Sequence, residues 1–283
     1  MIFWTNFKYP STSVGGYFLI LGKGRSPILT NRKILEIALR QSAIDCNCAP
    51  EDFLAKNNLV TFSQVHPKAR VYLKLPFACD LVSYGHNIVA QVGPDLVRET
   101  IDYIDKYPMH ACFETPNLLA LNDAVMPKGY KVCFMAEYFL PDVNEMKQLP
   151  CPYEIRWLEP EDFRDLYLPQ WSNALCEARR EHDRIAVGAY DNGQLIGLAG
   201  ASDDCETMWQ IGIDVLPAYR GKGVASALTG MLAHAILRRG IVPFYCAAWS
   251  NIPSVRNAIK CGFRPAWVEV TVRKADFVDE MNR

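Results

Sequence analysis

The chain has 283 residues, 30 basic and 31 acidic side chains, a formal net charge of -1 and an apolar share of 50%. This balance excludes a disordered chain and leaves material for two domains of ordinary size. It also supplies no long-range positive field, so neither nucleic acid nor an anionic membrane is an expected partner, and a small or locally recognised ligand is.

Residues 1–60 carry little pattern. The GKGR turn at 22–25 has two glycines but no strong strand-to-helix context and reads as a surface turn. The N-terminus lacks a basic flank with a long apolar run, and no stretch approaches the ~18–20 apolar residues of a membrane helix, so a cytosolic location is expected. Ten scattered cysteines without a C-x-x-C pair read as reduced thiols, and five histidines without metal-ligand spacing indicate no metal site. From residue 87 the pattern sharpens. NIVAQV (87–92), a helix over 95–107, HACFET (110–115), a helix over 117–125 and KVCFMAEYFL (131–140) give the order β-α-β-α-β.

The segment PDVNEMKQLPCP (141–152) has three prolines and interrupts two patterned regions, which predicts domains at 1–145 and 152–283. Beyond it, YEIRWL (153–158) alternates like a strand, and EPEDFRDLYLPQW carries helix-start acids. The run 185–200 is two apolar segments around Asp191-Asn192-Gly193, a strong hairpin signal. A strand at 208–215, a helix from Val224 to Arg239, a strand at 243–249, a helix at Ser254–Cys261 and a strand at 265–272 complete an α/β domain with one mixed sheet. The two halves end alike. Gly262-Phe263 follows Gly129-Tyr130 by 133 residues, whereas Val215 follows Val92 by 123, so about ten extra residues separate strand from helix in the second half. The N-terminal half thus reads as a possible degenerate copy of the C-terminal one.

Those extra residues hold the chain's most informative motif. Val215-Leu-Pro-Ala-Tyr-Arg220-Gly-Lys-Gly223-Val-Ala225-Ser226 joins a strand to a helix through a turn with two glycines. Unpaired amides at a helix start, together with the positive end of its dipole, make an anion site, and Gly221 and Gly223 let a phosphate approach closely. The spacing fits neither a P-loop nor a dinucleotide fingerprint. Standing alone, the turn reads more simply as a helix entry whose glycines only satisfy backbone geometry.

The run V-x-P-x-Y-R-G-x-G-x-A, followed by Asn251, Ser254, Lys260 and Gly262-Phe263, resembles the GNAT superfamily of N-acetyltransferases over about residues 153–272. The resemblance implies a GNAT fold in the C-terminal half and acetyl-CoA as cosubstrate. It places Ile213 and Val215 against the pantetheine amides. Arg220, Gly221, Gly223, Val224, Ala225 and Ser226 fall at the pyrophosphate, and Asn251 and Ser254 beside the pantetheine arm. Asn251 reads alternatively as a helix cap ahead of Pro253. The implied reaction is direct attack of a neutral amine on the acetyl carbonyl, through an oxyanion held by backbone N–H near Val215, with no covalent enzyme intermediate.

The sequence departs from the family at two points. The tyrosine commonly found seven residues after the asparagine is Ala258 here, so another group must protonate the leaving thiolate. Only residues 273–283 follow the strand at 265–272, so the C-terminal sheet lacks a strand, which the long segment 131–140 is expected to supply. Glu206 is the candidate base, with His182 and Glu177 behind it, and Trp171, Trp209 and Trp249 are candidate pocket walls. The expected activity is acetyl transfer to a primary amine of a small molecule. A non-catalytic acyl-CoA-binding module, a protein N-acetyltransferase and an interaction protein are the alternatives.

Overall fold

The computed structural model describes residues 29–283; the turn at 22–25 lies outside them. In chain order the elements are α1 (Asn31–Cys46), β1 (Leu59–Phe62), β2 (Cys79–Ser83), β3 (Val89–Val92), α2 (Val97–Lys106), α3 (Thr115–Val125) and β4 (Tyr130–Pro141). After the Pro-rich segment come β5 (Glu154–Leu158), β6 (Asp183–Asp191), β7 (Gln194–Ser202), β8 (Met208–Val215), α4 (Val224–Arg238), β9 (Val242–Ala247), α5 (Ile252–Lys260), β10 (Phe263–Lys274) and α6 (Ala275–Met281).

Local chemistry accounts for much of this. Asn192 and Gly193 both take left-handed backbone angles (φ 49° and 82°), the requirement of a tight turn between twisted antiparallel strands, and β6 and β7 pair across it from Asp191↔Gln194. The helix expected near 159–171 is instead two 3-10 turns, Pro160–Leu166 and Pro169–Trp171; Pro169 lacks the N–H needed to carry an α-helix on from the first of them. HACFET is also corrected: Met109–Phe113 is a 3-10 turn rather than a strand, so the first half does not reproduce the β-α-β-α-β order of the second.

Among the described residues one mixed ten-stranded sheet runs through both halves in the order β1-β3-β2-β10-β4-β9-β8-β7-β6-β5. The last strand of each half lies inside the other half's sheet. β4 pairs with β9 at Glu137↔Ala247 to Phe139↔Tyr245, and β10 pairs with β2 from Val268↔Ser83 to Val272↔Cys79. The two exchanged strands also run antiparallel to each other from Phe263↔Pro141 to Lys274↔Tyr130. The expectation that 131–140 fills the C-terminal sheet matches this topology. The domain boundary expected at 145–152 is therefore no break between independent sheets. The Pro-rich segment is packed as well: Asp142 N–H donates to the Gly262 carbonyl at 2.9 Å, and a Cβ on Gly262 would meet the backbone of Glu145 and Met146 at 2.6–2.7 Å.

Alternation along β4 couples the two faces. Phe139 enters the core formed with α4 and α5, while Tyr138 and Leu140 enter the opposite core, against α1. On that second face Arg70, 2% exposed, donates to Asp45 at 2.5 Å, to Glu269 at 3.0 Å and to the Tyr72 hydroxyl at 2.9 Å. Its guanidinium also lies 5.4–6.0 Å from the ring centroids of Tyr72, Tyr138, Phe244 and Trp267. All ten cysteines are unpaired thiols, five of them buried.

Candidate active site

β8 and β9 are parallel neighbours for only three residue pairs, Met208↔Val242, Trp209↔Pro243 and Gln210↔Phe244. Beyond these they part, because β8 stays on β7 as far as Gly197↔Val215 while β9 stays on β4 as far as Ala247↔Glu137. Backbone groups that face the gap from Ile211 to Val215 therefore lack a strand partner, over roughly 16 Å at ~3.3 Å per residue. The gap widens into a cleft of about 860 Å³.

The mouth of the cleft is the start of α4. Gly223 (φ 84°) forms the cap position and contributes no side-chain acceptor, so the first amides of the helix point at the opening rather than at a cap. Gly221 (φ 75°) also has positive φ, and space is open around the Cβ position of both glycines. Arg220, Arg256 and Lys260 line the cleft, and among the described residues the only carboxylate lining it is Asp214. Arg220 is held in place by a 3.0 Å hydrogen bond from Nε to the Val215 carbonyl. Positive charge and oriented amides thus meet at one end of a slot whose walls offer unpaired backbone groups.

The ten residues expected around the cofactor all line this cleft: Ile213, Val215, Arg220, Gly221, Gly223, Val224, Ala225, Ser226, Asn251 and Ser254. Asn251 is also the N-cap of α5, its Oδ1 accepting from Ser254 N–H at 3.3 Å, so its side chain has a structural task besides facing the cleft. The candidate base is corrected. Glu206 lies outside the cleft, 80% exposed and 4.0 Å from Lys68 Nζ, because the turn before β8 sits beyond the zipped end of the gap. His182 bonds Asp203 at 2.9 Å and Glu177 pairs with Arg180; neither lines the cleft. Trp171 is buried in a separate core, Trp209 packs against the α4 core, and Trp249 is exposed; none of the three lines the cleft.

Several cleft residues escaped the sequence reading. Tyr245, the first β9 residue past the last paired rung, lines the cleft and shares a 2.8 Å hydrogen bond with the Ser254 hydroxyl. Burial raises its phenol above the ordinary value, so it keeps its proton at neutral pH. Cys246 follows on the other face, its thiol pushed up to about 11 by burial. Ala136, on β4, brings the N-terminal half into the wall.

The remaining wall is a strap of irregular chain laid across the sheet. Asp214 accepts from Asn173 N–H and Ala174 N–H, both at 2.9 Å, and from the Asn173 side chain at 2.6 Å. The strap lies so close that a Cβ on Gly212 would overlap the Asn173 carbonyl, and one on Gly200 would overlap that of Ala174. Gly212→Ala should therefore lift the strap, lowering stability by about 2 kcal/mol and the Tm by roughly 4–8 °C. An unchanged urea midpoint and an unchanged melt would show that the strap is not clamped.

Residues 147–263 match the family model "Acetyltransferase (GNAT) family". No curated protein matches the chain. Among solved structures, a GNAT-family structure from Novosphingobium aromaticivorans is similar at 20% identity, with 51% of this chain and 66% of that chain covered and a TM-score of 0.42. A Drosophila protein is similar at 12% identity, covering 88% of this chain and 92% of its own, with a TM-score of 0.43. An aminoglycoside N-acetyltransferase in complex with CoA is similar at 23% identity over 42% of this chain and 93% of its own, with a TM-score of 0.32. The strand divergence, the uncapped helix start and the helix that follows β9 all lie within residues 147–263, the part of this chain that matches the GNAT acetyltransferase family.

Proposed function

We propose that the chain is an acetyl-CoA-dependent N-acetyltransferase that acts on the primary amine of a small molecule. The observation that carries this reading is the meeting, in one cleft, of an uncapped helix start and two strands that part beside it. A diphosphate suits the amides of Val224–Ser226 and the charges of Arg220, Arg256 and Lys260. An extended amide-containing arm suits the unpaired edges of β8 and β9, where it adds as a strand would.

The thioester then lies near the zipped end, beside Tyr245. The nitrogen lone pair of a neutral amine attacks the carbonyl carbon, the C–S bond breaks, and its electron pair stays on sulfur. Tyr245 donates its phenolic proton to that sulfur, giving the free thiol, and is reprotonated by the proton the nitrogen loses, relayed through water. This assigns to a neighbouring strand the task that Ala258, which has no acidic group, leaves open on α5. A non-catalytic acyl-CoA-binding module is the second reading. It is favoured by the absence of an uncommitted carboxylate among the described residues that line the cleft, since Asp214 already accepts three hydrogen bonds.

Calorimetric titration with acetyl-CoA, followed by thiol-release assays over a panel of primary amines, tests the proposal. Gly223→Leu should weaken acetyl-CoA binding about 100-fold or more, the loss of roughly two charge-assisted hydrogen bonds, while the far-UV spectrum stays native. Unchanged affinity would refute the phosphate cradle. Tight binding without thiol release on any amine would favour the non-catalytic reading.

A further inference from the structure

The cleft has a defined closed end, and its chemistry is unlike that of the mouth. Gln210 and Phe244 form the last pair before β8 and β9 diverge. From there the Gln210 side chain reaches across, its Nε2 donating to Cys246 Sγ at 3.0 Å. Both residues line the cleft, and Ala136 lines it with them. On the same face Met208 and Phe244 stand past this contact, and Tyr138 on β4 stands beside Cys246, all three buried in the core against α1. That core leaves no path for a chain that runs straight on. A group entering from the α4 end, tail first between the strands, therefore stops where the Gln210 amide meets the Cys246 thiol.

We propose that Gln210, held against Cys246, sets the length of the acyl group this cleft accepts and restricts it to short chains. The inference rests on the acyl-CoA reading given above and deepens it by naming the residue that sets the acyl length. A glutamine suits the position physically. Its amide is polar, so an aliphatic tail pressed against it gains little from burial, and displacing this half-buried amide would break its bond to sulfur. Replacing it with alanine removes four heavy atoms at the end of the slot, about the room taken by two to four methylene groups. Each methylene newly buried there is worth about fourfold in affinity.

The test is a series of dissociation constants for CoA, acetyl-CoA, butyryl-CoA and hexanoyl-CoA, measured on the full chain by calorimetry without any acceptor amine. The wild type should bind acetyl-CoA more tightly than butyryl- or hexanoyl-CoA. In Gln210→Ala the ratio of butyryl to acetyl affinity should rise about fifteenfold. Cys246→Ala, which releases the amide without emptying its place, should move the same ratio in the same direction by less. This second variant keeps the question answerable where Gln210→Ala fails to fold. Identical chain-length ratios in the wild type and the folded variants would overturn the gate while leaving the acyl-CoA reading intact. Failure of the wild type to bind CoA at all would overturn both.

Discussion

A chain that starts at residue 147, where the family match begins, is expected to be insoluble or aggregated rather than a small stable domain. β4 would be missing, so β9 would present a bare edge at Tyr245–Ala247, and β10 would lose both of its neighbours, β2 and β4. A strand of twelve residues with unpaired backbone on both sides is a template for aggregation. The core under α4 and α5 would also lose Phe139, which is fully buried there. A cavity of that kind alone costs about 3–5 kcal/mol, a large share of the 5–15 kcal/mol typical of a whole domain. Soluble yield, size-exclusion behaviour and a urea titration of 147–283 check this. A monodisperse fragment that unfolds cooperatively would show that the exchanged strands are dispensable.

Arg70→Leu is expected to destabilise the full chain by about 3–5 kcal/mol, because it strands two buried carboxylates, Asp45 and Glu269, without their counter-charge. The penalty is one of uncompensated charge rather than of lost packing, since leucine keeps an apolar body inside the ring of Tyr72, Tyr138, Phe244 and Trp267. The same network ties the halves together: Asp45 is on α1, whereas Glu269 and Trp267 are on β10, and the Trp267 indole donates to Glu269 at 2.8 Å. The triple replacement Arg70→Leu, Asp45→Asn, Glu269→Gln should recover most of the lost stability, as it removes all three charges at once. Equal urea midpoints for wild type and Arg70→Leu would mean that the ion network contributes nothing net. A triple variant no better than the single one would point to packing instead.

Short-range order was legible from the residues. The Asn192-Gly193 turn, the β8-to-α4 turn with its two glycines, and the Asn251 cap each depend on backbone conformations that particular side chains allow within three or four positions. The expected cofactor residues cluster for the same reason, since seven of the ten fall in one stretch, from Val215 to Ser226. Glu206 was misplaced because proximity in sequence to a strand says nothing about which end of that strand opens. Tyr245, Cys246 and Gln210 were invisible as a group: they lie on two strands about 35 residues apart, in runs that read simply as core.

The residues alone established the strand-to-helix turn with its two glycines, the hairpin before it and an α/β sheet of one class, all properties of contiguous segments governed by local sterics and alternation. They could not establish that β4 and β10 change places, that the Pro-rich segment is packed, or that the cleft is closed by Gln210 from one strand and Cys246 from another. Those features follow from which distant strands finally pair, and strand pairing is settled by the burial of both faces at once, here around Phe139 on one side and Arg70 on the other.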